Sequence, residues 1–257
     1  MGGGFDGLHP CRSGLTSCEQ SIVCKAEIGL SSASYLSGAI IIKMSATTLD
    51  NKYAARRMVH QHLQMRGIAD RAVLDAMLAV PRHLFVSEDQ QSHAYEDRAL
   101  PTIDGQTISQ PYIVAKMTEL LTAFRGAHVL EVGTGSGYQS AVLASLDAQV
   151  TSIERHPALA QRARVPLEKL GLSDRVTVIV GDGTHGYAPR MPYDRIMVTA
   201  YAAHLSRPLR DQLIDGGRIV IPIGSSRAQH LMTFDRQGEK WIKYQHTACI
   251  FVPLVSV

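Results

Sequence analysis

His128-Val-Leu-Glu-Val-Gly-Thr-Gly-Ser-Gly-Tyr-Gln139 decides how this chain folds. A short apolar run carries one acid, Glu131, then breaks into glycines at every second position, Gly133, Gly135 and Gly137, before a helix begins. A strand that stops at such a turn is suited to meeting a ligand. Glycine permits left-handed backbone and close approach, and the first turn of the following helix presents unpaired N–H groups. Spacing bears on which ligand. A dinucleotide turn reads G-x-G-x-x-G, its third glycine packing helix against strand, whereas this turn reads G-x-G-x-G with an acid inside the strand.

Outward from the turn, short apolar runs alternate with helical ones. Strands are predicted at 128–132, 149–154, 175–180, 193–199 and 217–223, with helices near 138–146, 157–170 and 204–214. That alternation implies right-handed crossovers and a mostly parallel sheet covered on both faces. Two more strands, 229–235 and 240–251, leave no room for a helix between them, and Gln237-Gly238 supplies a turn. They are expected as an antiparallel hairpin at the edge of a seven-stranded sheet. Pro166 falls inside the predicted helix 157–170 and should kink it. Upstream, Val73, Leu74, Met77 and Leu78 keep helical spacing until Pro81, and Ile113, Val114, Met117, Leu120, Leu121 and Phe124 form an apolar stripe predicting a helix over 112–124. The α/β domain is therefore placed at 51–257, with a helical cap region over 51–111 and the core over 112–257. Residues 1–50, rich in glycine, serine and cysteine, are expected either to be a flexible tail or to precede a later translation start at Met44 or Met58.

Composition narrows the function classes. The 257 residues are 45% hydrophobic and 19% charged, with a formal charge of +3, which fits an ordinary enzyme and is too weak and too evenly spread to argue for nucleic acid. Cys11, Cys18, Cys24 and Cys249 form no C-x-x-C pair and have no histidine at finger spacing, so no metal site is expected and free thiols in a reducing cytoplasm are. No apolar stretch approaches the roughly 20 residues of a membrane helix; the candidate Gly38-Ala-Ile-Ile-Ile-Lys43 is far shorter. Arg12 is the single base among the first 20 residues, a poor start for a secretory signal. A monomer is expected.

In an open parallel sheet, ligands bind beyond the carboxyl ends of the strands, where strand order reverses. Three strand ends carry acids: Glu131 beside the glycine turn, Glu154 in Thr151-Ser-Ile-Glu154, and Asp182 between Gly181 and Gly183. Glu154 stands where a carboxylate can accept ribose hydroxyls, and Asp182 where it can accept from an adenine amino group. Alone, Glu154 reads equally as a solvated strand end and Asp182 as a simple turn. Glu131 is harder to dismiss, because an acid within an apolar strand costs several kcal/mol unless hydrogen-bonded. Together the three acids suit a ligand bearing a sulfonium and an amino group. The constellation resembles the S-adenosylmethionine-dependent methyltransferases of the Rossmann-like class.

A fold class names no substrate; the stretch Asp104-Gly-Gln-Thr-Ile-Ser-Gln-Pro-Tyr-Ile-Val114 does. It resembles the hallmark loop of the protein-L-isoaspartate (D-aspartate) O-methyltransferases of bacterial type. Val80-Pro-Arg-His-Leu-Phe-Val86, Leu130–Tyr138, Gly181-Asp-Gly183, Tyr193–Ala200 and Phe251-Val-Pro-Leu254 match the family in order, over roughly 58–255. The resemblance implies S-adenosylmethionine as cofactor and age-damaged, isoaspartate-containing proteins as substrates. It implies that Ser109 is the active-site serine. Thr107, Ile108 and Gln110 of the same loop would help cover the cofactor. Glu131, Gly133, Gly135, Gly137, Glu154, Asp182 and Gly183 would hold the cofactor, and Val198-Thr-Ala200 would line the substrate carboxylate. Ser109 also reads, more plainly, as a cap for the helix that follows.

One stretch departs from the family. Tyr201-Ala-Ala-His-Leu-Ser206 stands where bacterial relatives carry alanines and prolines. Tyr201 and His204 are expected to belong to the first turn of the next helix; the other reading is an altered specificity surface. Rival functions are weaker. The first rival is a methyltransferase acting on a nucleic acid or a small metabolite; against nucleic acid stand the missing Asn/Asp-Pro-Pro-aromatic motif and the modest net charge. A nicotinamide oxidoreductase would need the wider glycine spacing, and a degenerate binding module would not need Ser109 and all three acids.

Overall fold

The computed structural model describes residues 46–256; most of the segment expected as a tail lies outside them. Helix α1 (Ala46–Arg57) runs on as a π-helical stretch to Leu63. Helix α2 (Arg71–Ala79) begins where Asp70 accepts the N–H groups of Ala72 and Val73 at 2.8 and 3.2 Å, a cap worth about 1 kcal/mol. It stops at Val80, whose extended backbone is what a following proline requires. Helix α3 (Pro111–Leu121) opens on a proline and ends at Thr122, which is left-handed (φ 50°). That early stop is why Phe124, expected on the buried stripe, is half exposed.

The sheet contains β1 (His128–Val132), β2 (Gln149–Glu154), β3 (Val176–Val180), β4 (Tyr193–Val198), β5 (Leu213–Gly224), β6 (Gln229–Gln237) and β7 (Lys240–Cys249) in the spatial order β3-β2-β1-β4-β5-β6-β7. β1 to β5 pair in parallel, and β6 and β7 add antiparallel. This is the mostly parallel seven-stranded sheet with an edge hairpin expected from the patterning. Helices α4 (Tyr138–Ser145) and α5 (Pro157–Lys169) make the crossovers among β1, β2 and β3, and α5 continues through Pro166 as one helix. Strand order reverses between β1 and β4, so a crevice opens above their carboxyl ends.

β1 alternates between two cores. Val129 joins the cluster holding the apolar sides of α1–α4, whereas Leu130 and Val132 join the cluster of Ile153, Tyr193, Ile196 and Leu209. One element differs from expectation. The helix predicted over 204–214 is only α6 (Arg207–Asp211). Leu205, Leu209 and Leu213 keep helical spacing, yet Leu213 already pairs with Tyr193 as the start of β5. It buries against the same cluster as Leu209 by strand pairing instead of by a helical turn.

Candidate active site

The glycine turn is built over the end of β2. Gly133 and Thr134 donate to the Ile153 carbonyl at 2.8 and 3.2 Å, and Gly137 donates to Thr134 at 2.9 Å. Gly133, Gly135 and Gly137 all have positive φ, at 97°, 53° and 84°. Gly133 is the tightest: a Cβ there would lie 2.3 Å from Thr199 Oγ1, which reaches across from the end of β4 to donate to the carbonyls of Gly133 and Val132 at 2.7 and 3.0 Å. The two strands flanking the reversal are thus locked together at the ligand end by this hydroxyl and by Thr199 N–H, which donates to Val132 O at 2.9 Å.

Glu154 stands at the same level. Its carboxylate accepts Gly135 N–H at 2.9 Å with one oxygen and His156 N–H at 2.9 Å with the other, so it braces the turn while lining the crevice. Glu131 lies one layer below. It is fully buried, and one oxygen accepts from Ser140 and, at 2.7 Å, from Ser152. Its other oxygen has no partner among the described residues. Burial pushes this carboxyl up to about 7; the two serine hydroxyls oppose the rise and the Glu154 charge adds to it. Burial favours the neutral acid because the charged form loses its hydration.

Facing the turn is a loop carried by a two-stranded ribbon, Leu100–Pro101 against Thr107–Ile108. Ile108 is buried and anchors it. Ser109 follows, and its carbonyl accepts from Arg82 Nη2 at 2.8 Å. The cap position of α3 is Gln110, without a side-chain capping bond. Asp97 serves that helix end instead, accepting Tyr112 N–H at 3.2 Å with one oxygen and Gln110 Nε2 at 2.9 Å with the other. Ser109 is therefore not the helix cap.

Turn and loop face each other across a cleft that is open to solvent. Thr107, Ile108, Ser109, Gly133, Gly135, Glu154, Gly183, Thr199 and Ala200 line it. Five other residues singled out from the sequence do not. Gln110 turns to Asp97, Glu131 points into the protein, and Gly137 caps α4 against Ala163. Asp182 accepts from Thr184 N–H at 2.8 Å and from Ser256 Oγ at 2.9 Å, and Val198 is core. Several wall residues escaped sequence reasoning, Arg155 and His156 just beyond β2 among them. Gln106 lies just before the ribbon's second strand, and the C-terminal segment Val252–Val255 crosses the cleft. That segment is fixed by Tyr201, whose N–H donates to Val252 O at 2.9 Å and whose carbonyl accepts Leu254 N–H at 2.8 Å. Tyr201 is thus extended chain and not the start of a helix. His204 is exposed in the loop before α6, and neither residue lines the cleft. The backbone pairing has no side-chain signature, which is why the sequence carried no sign of it.

A glycine turn at the end of β1, acids at neighbouring strand ends and a crevice at the reversal of strand order define a Rossmann-like methyltransferase. Residues 54–257 match the family model described as Protein-L-isoaspartate(D-aspartate) O-methyltransferase, and the chain belongs to that family. It is 49% identical to the protein-L-isoaspartate O-methyltransferase of Methanoculleus marisnigri over 199 residues, covering 77% of this chain and 90% of the relative. It is 48% identical to the Herpetosiphon aurantiacus enzyme of the same name over 201 residues, or 78% and 89%. Among solved structures, a protein-L-isoaspartate O-methyltransferase superposes with a TM-score of 0.70 at 29% identity, over 77% of this chain and 65% of that one. A Plasmodium falciparum protein described as a protein-L-isoaspartate O-methyltransferase, in complex with S-adenosyl-L-homocysteine, gives 0.69 at 25% identity over 78% and 98%.

Proposed function

We propose that this chain methylates the α-carboxylate of L-isoaspartyl residues in damaged proteins and so starts their repair, with S-adenosylmethionine as the methyl donor. The observation that carries this reading is the convergence, on one cleft, of Ser109 with the Gly133–Gly135 turn and Glu154. The donor set fits the cofactor. Left-handed glycines allow close backbone approach, Glu154 offers carboxylate oxygens at a strand end, and a cationic sulfonium is better served by acids than by a pyrophosphate cradle.

Bound S-adenosylmethionine supplies an electrophilic methyl group. The residues around it need little acid–base power. The α-carboxylate has a reference pKa near 3.5 and is ionised at neutral pH, so no side chain has to remove a proton. In this reading Ser109 donates its hydroxyl proton as a hydrogen bond to that carboxylate, while Thr199 and Ala200 close the opposite wall. Thr107 and Ile108 cover the cofactor side, and Val252–Val255 exclude water from the cleft. Placement and dehydration carry the rate. The methyl ester has a better leaving group than the acid, so off the enzyme the neighbouring amide nitrogen attacks the ester carbonyl, expels methanol with loss of the N–H proton, and closes a succinimide. Water then opens it, returning part of the chain to normal aspartate.

Glu131, Gly137 and Asp182 support the turn and the strand ends from behind in this assignment, without lining the cleft. Gln110 positions the loop by its bonds to Asp97. Among the described residues no helix is long and apolar enough to cross a membrane. A cytoplasmic monomer without a nucleic-acid or membrane partner is part of the same proposal, supported by the modest charge of +3. The test is labelled S-adenosylmethionine with paired peptides bearing isoaspartate or aspartate at one site, and a D-aspartyl peptide as a third arm. Base-labile label on the isoaspartyl peptide and none on the L-aspartyl peptide is expected. Equal labelling of those two, or of neither, would sink the assignment.

A further inference from the structure

Arg82 is the largest fully buried side chain among the described residues. It has no carboxylate within ion-pair distance among them, and one of its guanidinium nitrogens, Nη1, has no partner. Its remaining contacts are directional. Nε donates to Ala94 O at 2.7 Å, Nη2 donates to Ser109 O at 2.8 Å, and the guanidinium carbon lies 4.8 Å from the centre of the Tyr138 ring. Tyr138 is the first residue of α4, directly after the glycine turn, and packs edge-on against Phe85 with ring centres 5.4 Å apart.

Burying a guanidinium without a carboxylate is unfavourable, and an apolar side chain of similar size would fill the space with less penalty. Desolvation lowers the Arg82 pKa to about 10, so the group stays cationic at neutral pH. What the guanidinium supplies is its planar fork: two carbonyls and one aromatic face, held at fixed angles to each other. One of those carbonyls is that of Ser109, and the aromatic face belongs to the helix that the turn opens. The fork therefore spans the two walls of the cleft.

We propose that Arg82 is a positioning residue for catalysis: by gripping the Ser109 carbonyl and resting on Tyr138, it sets the Ser109 hydroxyl at its working distance from the glycine turn. This rests on the reading of Ser109 given above. Arg82 touches neither substrate nor cofactor and acts through Ser109. A lysine in its place would offer a single point charge in place of the fork, and a glutamine one short amide.

The experiment compares the full-length wild type with Arg82→Gln, Arg82→Lys and Ser109→Ala. It measures kcat and KM for an isoaspartyl peptide and, by calorimetry, the affinity and number of sites for S-adenosylhomocysteine, with kcat expressed per binding site. Expected for Arg82→Gln is a kcat at least thirtyfold lower, with peptide KM within threefold and S-adenosylhomocysteine affinity within tenfold, and a smaller kcat loss for Arg82→Lys. Should Arg82→Gln bind no S-adenosylhomocysteine, Arg82→Lys is judged by a kcat loss of at least threefold under the same binding limits. Absence of sites in both variants overturns the proposal, because Arg82 would then serve the whole fold. A wild type inactive on the peptide, or a Ser109→Ala variant with normal turnover, overturns the functional reading and this proposal with it. An active wild type, an inactive Ser109→Ala and an Arg82→Gln variant within threefold of normal kcat overturn the proposal for Arg82 alone.

Discussion

The glycine turn and the Ser109 loop face each other across one cleft but are held by different physics. The turn is held through its backbone: left-handed glycines set its path, and hydrogen bonds to the neighbouring β2 and a hydroxyl from Thr199 leave it little choice. The loop has few internal bonds. Its shape is imposed by side chains, Arg82 on the Ser109 carbonyl and Asp97 on Gln110 and Tyr112 N–H. Arg66 joins this clamp, pairing with Asp97 and lying 3.6 Å from the centre of the Tyr112 ring. A wall set mainly by backbone conformation tolerates the loss of single side chains, whereas one held by side-chain clamps can be loosened without touching the ligand.

The sharpest contrast between the two walls should come from Ser109→Ala. Its kcat should fall on the order of 100-fold, as when one well-placed donor is removed from a dry site, while thermal unfolding and S-adenosylhomocysteine affinity stay close to wild type. Normal turnover would take Ser109 out of the chemistry and leave the loop as mere cover.

Glu131 tests the turn's foundation through pH. Burial holds its carboxyl at about 7 in the folded chain against an ordinary 4.5, so between those values the folded state binds more protons than the unfolded. This contribution to stability is whole below pH 4.5 and is lost as pH rises through 7, a change of up to about 3 kcal/mol. Denaturant unfolding of wild type and Glu131→Gln across pH 4.5 to 8 should show the wild type losing ground to the variant as pH rises. A constant difference over that range would mean the carboxyl is not held neutral.

Gly133→Ala attacks the turn itself. Placing a side chain at φ 97° and within 2.3 Å of Thr199 Oγ1 should cost about 2 kcal/mol of stability and weaken S-adenosylhomocysteine binding. Adding Thr199→Ala removes the clash but not the strained φ, so it should recover only part of the loss. Full recovery in calorimetric titrations would show that crowding, and not backbone conformation, fixes the turn. The smallest effect is expected for Asp97→Asn, whose one amide oxygen still accepts from Tyr112 N–H while Gln110 keeps its bond to the Asp97 backbone carbonyl, and the charge facing Arg66 is lost. A threefold to tenfold fall in kcat, about 1 kcal/mol, with unchanged cofactor affinity would mark the clamp as graded. No change would place the loop's restraint in Arg82 alone.

Much of the cleft was legible in the chain because its physics is local. Hydrophobic alternation placed β1 to β4 to within a residue or two, and glycine spacing placed the turn. Glu154 was found at a strand end because the topology sends all parallel strand ends to one side. The differences from expectation have equally physical origins. Leu205, Leu209 and Leu213 carry a helical period that the sheet overrides at Leu213. Asp182 stands at a strand end as expected, yet its carboxylate is taken by Thr184 and Ser256. Tyr201 contributes backbone and no side chain to the wall above it, so its residue type said nothing about its place.

Sequence alone determined the α/β class, the methyltransferase turn and the serine loop, because periodicity, glycine conformational freedom and residue chemistry are properties of short segments. Tertiary structure alone decided what holds Ser109 in place, which acids line the cleft and which brace it from below, and that the C-terminal segment forms a wall. Those outcomes depend on contacts between residues far apart in the chain, such as Arg82 with Ser109 and Thr199 with Gly133. Whether they form is set by how the layers pack.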